Sequence, residues 1–531
     1  RLDGNIPFQT VDHFAEQMEY PFDSSYRIDA GIRYVMDQIN DSGHTCIPIE
    51  ELMVSLSNLL GDDYIDTIVE RLEYLLEANI YHQEDYDDVI YIYQPKVYRA
   101  EVDSIDYTRQ FLESDEEIHL DVESFCDTYE SLYHMQLGEE QKKAIMMALR
   151  ERFSIITGGP GTGKTTIIKA LVAGYEQANL KRIVLCAPTG RAAKRLSEAT
   201  AQEAFTIHRL LEPEAEGSGY AFTRNQDDPL EVDVVIVDES SMLNLELYYA
   251  LIQAIPPEAH VVLVGDVDQL PPIGAGFILR DMLESEMIPY QGLTQIYRQQ
   301  AGNRIIDNAY AINHGDMPNL TRCDEFCFDE AHDVESILDH LVTRYREELE
   351  HVESDLDIQI VSPMRKGSMG SVAISKHLQE TLNPRRPDRE EIKVDGRIFR
   401  VGDKVIQMEN NYDQDVYNGE IGRITNILGK HVFVEFPDKS MTLTEEDMLT
   451  MSLAYAITVH KAQGSEYHRI LLPFTSMYNV MLQRNLLYTA ITRAKDKVLI
   501  IGSKTAIQTA VNNQEYQYRY TLFKERLEGV I

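Results

Sequence analysis

Residues 154–171 read SIITGGPGTGKTTIIKAL, an apolar, β-branched run that enters a glycine-rich loop and leaves it as a helix. Gly158, four residues, then Gly163, Lys164 and Thr165 is the spacing of a phosphate-binding loop, and a strand before and a helix after is the context that loop requires. The pattern predicts that Gly159, Pro160, Gly161, Thr162 and Gly163 wrap the phosphates of a nucleotide. Lys164 would reach the terminal phosphates and Thr165 would offer a hydroxyl to Mg²⁺, with Thr166 following in a helix N-terminus that favours anions. A chain that carries this loop builds a parallel α/β domain around it. Whether the nucleotide is a substrate, a switch or a fuel must be decided elsewhere in the sequence.

RIVLCAP, DVVIVDES and HVVLVGD are short, apolar and β-branched like FSIIT, as strands buried on both faces of a parallel sheet are. A second set, LDIQIVSP, LAYAITV, HRILLPF and KVLIIGS, lies between residues 356 and 503 and predicts a second α/β domain. That domain is interrupted by short strands with Gly, Asn and Asp turns, from IKVDGRIF to HVFVEF, which predict a small SH3-like β-barrel. The turn-rich residues 211–231 fit only a β-hairpin. Near the start, residues 27–40, 49–60 and 64–80 have helical apolar spacing, and IYHQE and VIYIYQ flank the turn-prone DYDD. Three helices followed by a hairpin is the winged-helix order, whose work is contact with DNA or with protein. The expected divisions are therefore 1–131, winged-helix-like with a linker; 132–330, the first α/β domain; 331–385 joined to 448–531, the second; and 386–447, the barrel. Three or four domains also suit 531 residues at roughly 150 residues each.

A net charge of −39 argues at first against nucleic acid. The charge is unevenly placed, however: residues 1–136 hold 7 Lys and Arg against 31 Asp and Glu. With a Debye length near 8 Å, an acidic N-terminal region is largely screened from a distant basic groove. It also makes that region an expected docking surface for protein partners, and it predicts strong salt dependence for any nucleic-acid binding. The five cysteines have no metal-ligand spacing and are read as reduced thiols. No apolar run approaches the roughly 20 residues that span a bilayer, so no membrane partner is expected and the expected location is the cytoplasm. The chain opens on Arg1 rather than Met, which fits a trimmed fragment.

In VVIVDESSM, Asp238 and Glu239 end an apolar strand. Behind a phosphate loop, Asp238 is placed to hold Mg²⁺ and Glu239 to orient or deprotonate the attacking water. Gln269, in VGDVDQLPP, can sense the γ-phosphate from the end of the next strand. In QIYR, Tyr297 offers an aromatic face for adenine and Arg298 a guanidinium for the γ-phosphate.

The ordered series LGEEQKKAI, GGPGTGKTT, APTGRAAKRL, TIHRLL, VDESSM, VGDVDQLPP, LTQIYRQ, VSPMRKGSMG, AITVHKAQGSEY and NLLYTAITRAK resembles the motif set of superfamily 1 helicases. DESSM, VGDKVIQMENNYDQDVYNGEIG and TVHKAQGSE are similar to the RecD-like branch of its B type. The resemblance covers about residues 137–505. It implies two RecA-like domains with ATP in the cleft between them, single-stranded DNA across both, and travel from 5′ to 3′. It also implies Gln141 at the adenine, Gln269, Arg298 and Arg493 at the γ-phosphate, and Gly464 and Glu466 on the ribose side. Arg493 would come from the second domain and stabilise transition-state charge only when the cleft closes.

If each domain grips DNA, cyclic closure becomes stepwise movement, so ATP is fuel. The expected grips are Thr189, Arg191, Lys194 and His208 in the first domain and Arg365, Lys366, Thr458, His460 and Lys461 in the second. The chain has no Trp, which leaves base stacking to Tyr, Phe or His and favours contact with the DNA backbone. The 211–231 hairpin and the winged-helix region are the candidates to stand at a single/double-strand junction. Longer members of the branch carry an N-terminal helix-hairpin-helix, and none is legible here. The resemblance implies a monomer working in DNA repair or recombination. Rival readings are an RNA helicase of the same superfamily, an A-type 3′ to 5′ motor, a simple P-loop kinase, and an ATP-regulated clamp within a nuclease complex.

Overall fold

A computed structural model describes residues 7–113, 118, 120–213, 222–295, 303–411, 414, 416–514 and 518–531. The phosphate-loop strand Phe153–Gly158 lies near one side of a six-stranded sheet, ordered Ala204–Thr206, Ile183–Ala187, Val234–Val237, His260–Gly265, Phe153–Gly158, Tyr290–Leu293, with every neighbouring pair parallel. Val234–Val237 and His260–Gly265 are buried along their whole length, which is why they are unbroken apolar runs rather than alternating ones. The two outermost strands were not anticipated from the sequence.

A second parallel sheet has the order Phe326–Glu330, Ala494–Gly502, Tyr467–Phe474, Ile358–Ser362, Ala456–Thr458. Its core is separate from the cores on the two faces of the first sheet. Two parallel sheets, each with its own helices, are the α/β architecture expected. The insertion is an antiparallel five-stranded sheet, ordered Ser440–Leu443, His431–Glu435, Ile421–Leu428, Lys404–Gln407, Met451–Leu453, beside the hairpin Glu391–Val394 and Arg397–Arg400. Met451–Leu453 pairs with Lys404–Gln407, so the small sheet runs past the expected boundary at 447.

At the N-terminal end, the helices Ser25–Asp41, Ile49–Leu60 and Ile65–Glu77 share one core, and Cys46–Pro48, Val89–Tyr93 and His82–Tyr86 pair in that order as a small antiparallel sheet. This is the winged-helix order. The module ends earlier than 131: the helix Pro95–Leu112 places Val97, Ala100, Ile105 and Phe111 in one core of the first domain, and Val122–Tyr133 places Phe125 and Tyr129 in the other. Of the 211–231 hairpin, residues 214–221 lie outside the described residues; its flanks meet in an antiparallel bridge between Pro213 and Phe222.

The C-terminal segment departs from expectation. It leaves the second domain and returns to the first, where Phe523 and Leu527 of the helix Phe523–Glu528 join the first domain's core. Arg519 donates to the carbonyls of Pro272 (2.7 Å), Gly274 (3.1 Å) and Gly276 (2.6 Å). Arg526 lies between Glu84 at 2.8 Å and the fully buried Glu101 at 3.2 Å, so one guanidinium joins the wing to the first domain. Burial pushes the Glu101 carboxyl up, and Arg526 is among the groups that oppose that shift. Arg526→Met is expected to lower stability by about 3 kcal/mol, because it leaves a buried carboxylate unpaired. Urea unfolding of the whole chain checks this, and an unchanged midpoint would contradict it. No helix among the described residues is long and apolar enough to cross a membrane.

Candidate nucleotide and nucleic-acid sites

The phosphate loop turns through left-handed backbone at Gly161 (φ 79°) and Gly163 (φ 85°), conformations that glycine adopts without a Cβ penalty. A Cβ on Gly163 would also lie 2.2 Å from Gln141 Nε2. Lys164 opens the helix Lys164–Gln177, and its Nζ donates to the carbonyls of Gly158 at 2.6 Å and Gly159 at 3.1 Å, which folds the amine over the loop. Thr162 is buried and donates to Gly159 O at 2.9 Å, while Pro160, Thr165 and Thr166 are half-buried at the loop and helix start. Gln141 accepts from Gly138 N at 3.0 Å and donates to Thr162 O at 3.0 Å. Its amide thus serves the protein's own backbone and braces the loop from behind.

Asp238 follows the strand Val234–Val237 and accepts from Glu239 N at 2.9 Å. Glu239 sits in left-handed backbone at φ 53°, a strained conformation for a side-chain-bearing residue and of a kind that gathers at functional sites. Burial, then the Glu239 carboxylate, push the Asp238 carboxyl up. Burial would also raise Glu239, but Arg195, Arg493 and Lys164 outweigh it and hold that carboxyl below its ordinary value. One member of the pair is thereby held as an anion among three cations from two domains.

The second domain closes the site. Gln269 is buried, donates to Asp266 Oδ2 at 3.2 Å, and its Oε1 has no hydrogen-bond partner among the described residues. Tyr488 of the second domain donates to the same Asp266 oxygen at 2.9 Å, Thr489 accepts from Leu270 N at 2.9 Å, and Gln463 donates to Leu270 O at 3.2 Å. Arg493 is buried and spends its N–H groups on neutral oxygens: Thr489 O (3.2 Å), Ser465 O (3.5 Å) and Thr492 Oγ1 (3.3 Å). Gly464 presses on the first domain, where a Cβ would lie 2.8 Å from Thr189 Oγ1. Glu466 faces Arg195 Nη1 at 3.4 Å and Lys495 Nζ at 3.6 Å. Tyr297 and Arg298 lie outside the described residues. Arg195, Asp266 and Tyr488 were missed by sequence reasoning although all three fall inside or beside quoted motifs.

The donor set fits a Mg²⁺-nucleotide. The loop offers a cradle that a Cβ would fill, a lysine folds over it within the field of the Asp238 carboxylate, and Gln269 Oε1 lacks a partner among the described residues.

Of the expected DNA grips, the structure gathers those of the second domain. Met364, Arg365, Met408, Thr458, His460 and Lys461 line a groove of about 350 Å³, with Lys366 exposed beside it. Burial lowers the pKa of His460, and burial followed by repulsion from Arg365 lowers that of Lys461. Thr458 caps the short helix Val459–Ala462. The first-domain grips are used differently. Arg191 donates to Tyr467 O–H at 2.7 Å and Gly419 O at 3.3 Å, and Lys194 pairs with Asp438 at 2.7 Å. Spaced three apart on the helix Gly190–Thr200, they face the second domain and the insertion rather than the groove with Arg365. Thr189 caps that helix, and His208 is largely buried, its pKa lowered by burial, with its ring edge-on to Phe222.

Two parallel α/β sheets, with a phosphate loop on one and an arginine from the other in the field of Glu239, define a P-loop protein built on two α/β domains. Residues 141–275 match the AAA domain family, 374–436 the ATP-dependent RecD-like DNA helicase SH3 domain, 453–501 the UvrD-like helicase C-terminal domain, and 3–46 the ATP-dependent RecD2 DNA helicase HHH domain. The ATP-dependent RecD2 DNA helicase of Deinococcus radiodurans is 37% identical over 400 residues, 74% of this chain and 53% of that one. The RecBCD enzyme subunit RecD of Mycobacterium tuberculosis is 31% identical over 413 residues, 70% of each. The Pif1 helicase of Candida albicans aligns with a TM-score of 0.47 at 17% identity, over 75% of this chain and all of that one. The chain belongs to the RecD-like family of superfamily 1 helicases, and it spans about half the length of the RecD2 relative it matches.

The match over 3–46 corrects the expectation that no helix-hairpin-helix is present. Its described part holds the helices Phe8–Gln17 and Ser25–Asp41. Their connection, MEYPFDS, has no glycine, which removed the cue by which a hairpin is read.

Proposed function

We propose that this chain is an ATP-driven motor that moves 5′ to 3′ on single-stranded DNA and separates strands at single/double-strand junctions, in DNA repair or recombination. The observation that carries the reading is the composite site: Glu239 of the first domain lies in the field of both Lys164 from its own domain and Arg493 from the other. Such a site is complete only when the two domains meet, so hydrolysis and relative domain movement are one event. In this reading Lys164, Gln269 and Arg493 surround the γ-phosphate, Glu239 receives the proton of the attacking water, and Gln141, Gly464 and Glu466 lie toward the base and ribose. Mg²⁺, held by Thr165 and Asp238, would neutralise charge on the phosphates. Arg365, Lys366, Thr458, His460 and Lys461 grip the DNA backbone in the second domain. Arg191 and Lys194 join the modules and reach DNA only if the domains part. Separating base pairs costs about 1.4 kcal/mol per step, which fuel must cover.

The test is unwinding of two matched duplexes, one with a 5′ tail and one with a 3′ tail, by the wild type and by Lys164→Ala. Unwinding of the 5′-tailed duplex alone, lost in the variant, is expected. Preference for the 3′ tail would overturn the polarity, and DNA-stimulated ATP turnover without unwinding of either would overturn strand separation.

A further inference from the structure

Arg195 belongs to the first domain, on the helix Gly190–Thr200, yet its guanidinium is shared between carboxylates of both domains. Nη2 donates to Glu239 Oε1 at 2.9 Å, and Nη1 faces Glu466 Oε1 at 3.4 Å. The stretch that carries Glu466 is also the one Arg493 holds, through the carbonyl of Ser465. Arg195 therefore reads, through one side chain, both the hydrolytic carboxylate and the position of the segment beside Arg493. The left-handed backbone at Glu239 fixes where its side chain starts, and the ion pair with Arg195 holds the carboxylate at its other end.

We propose that Arg195 is a positioning residue that aims the Glu239 carboxylate, and that it does so only while Glu466 of the closed second domain takes its other arm. The proposal rests on the reading of Glu239 as the acceptor of the water proton. When the cleft opens, Glu466 withdraws, the guanidinium closes on Glu239 with both arms, and the carboxylate is drawn away from the water. Closure restores the shared geometry and hydrolysis with it. A planar guanidinium can hold two carboxylates at once in a fixed fork, whereas a lysine ammonium is a single point charge on a flexible stem. The device would stop an open, unproductive motor from spending ATP.

The test compares the wild type, Arg195→Lys and Arg195→Met for ATP turnover with and without oligo(dT), and for affinity toward a fluorescent, non-hydrolysable ATP analogue. Misplacing a reacting group by about 1 Å costs up to roughly a hundredfold in rate. Arg195→Met is expected to lose about that factor in kcat, and Arg195→Lys at least about tenfold, with KM and analogue affinity within about twofold of the wild type. Adding Glu466→Gln to Arg195→Lys should then cost little more in kcat than Arg195→Lys alone, because both act through one relay. Full turnover by Arg195→Lys, loss of turnover in step with loss of analogue binding, or additive losses in the double variant would each overturn the proposal. A wild type that DNA does not stimulate would defeat the motor reading instead, and the basal kcat of the variants would still decide the role of Arg195.

Discussion

Arg493→Ala is expected to lower DNA-stimulated ATP turnover by about a thousandfold while ATP binding stays within a few-fold of the wild type. The reason lies in what Arg493 touches. It is buried, it comes from the domain that does not hold the phosphate loop, and the oxygens it bonds are two carbonyls and a hydroxyl rather than a carboxylate. Among the described residues its positive charge is therefore left uncancelled by any ion pair of its own, and it contributes to holding Glu239 anionic. A charge held in that way acts most strongly on charge that develops during reaction, in a site from which water is excluded. Arg493→Lys should restore little, since an ammonium cannot reproduce the fork that engages Thr489, Ser465 and Thr492 together. Single-turnover hydrolysis measured beside analogue binding separates the two effects. A loss in kcat below about tenfold would remove Arg493 from the transition state.

The parts of this site that were legible in the sequence are those whose chemistry is local. The phosphate loop announces itself because its glycines, its lysine and its threonine stand in one unbroken run between a strand and a helix. The acidic pair and Gln269 are legible because buried strands place whatever follows them at one edge of the sheet. Residues whose partners are remote were not legible. Arg195 stands in a quoted motif, yet nothing near it in the chain tells that Glu239 and Glu466 share its guanidinium. Arg191 and Lys194 looked like DNA grips because basic residues in a helicase motif usually are, and the acceptors that occupy them belong to the insertion and the second domain.

The same distinction explains the fold. Strands set in uniformly apolar runs were found even when short, such as Val234–Val237, whereas Phe326–Glu330, which ends in Asp and Glu, and Ala204–Thr206 were not. The return of the C-terminal segment was invisible because Arg519 is held by main-chain carbonyls of residues 272–276, which leave no mark in a side-chain pattern. That return gives the loop just after Gln269 a partner from the far end of the chain.

Glu239→Gln should separate a motor from a clamp. The substitution keeps the shape of the side chain and its backbone conformation but removes its capacity to take a proton, and general-base catalysis contributes about 10²–10⁴-fold. ATP should still bind, because Lys164, Thr165 and the loop are untouched, and it should still draw the domains together, because the roles proposed for Arg493 and Gln269 at the γ-phosphate do not depend on its cleavage. The variant is therefore expected to hold single-stranded DNA in the presence of ATP as firmly as the wild type, for longer, and to unwind nothing. In a clamp, binding and closure are the whole function, so its cellular role would survive a loss of turnover; in a motor, every step requires the cleft to reopen, and turnover and strand separation must fall together. Dissociation from a labelled oligonucleotide, timed beside unwinding of the 5′-tailed duplex, reads both quantities in one preparation. Unwinding that persists when turnover has fallen a hundredfold would break the link between hydrolysis and movement on which the composite site of Glu239 and Arg493 has been interpreted.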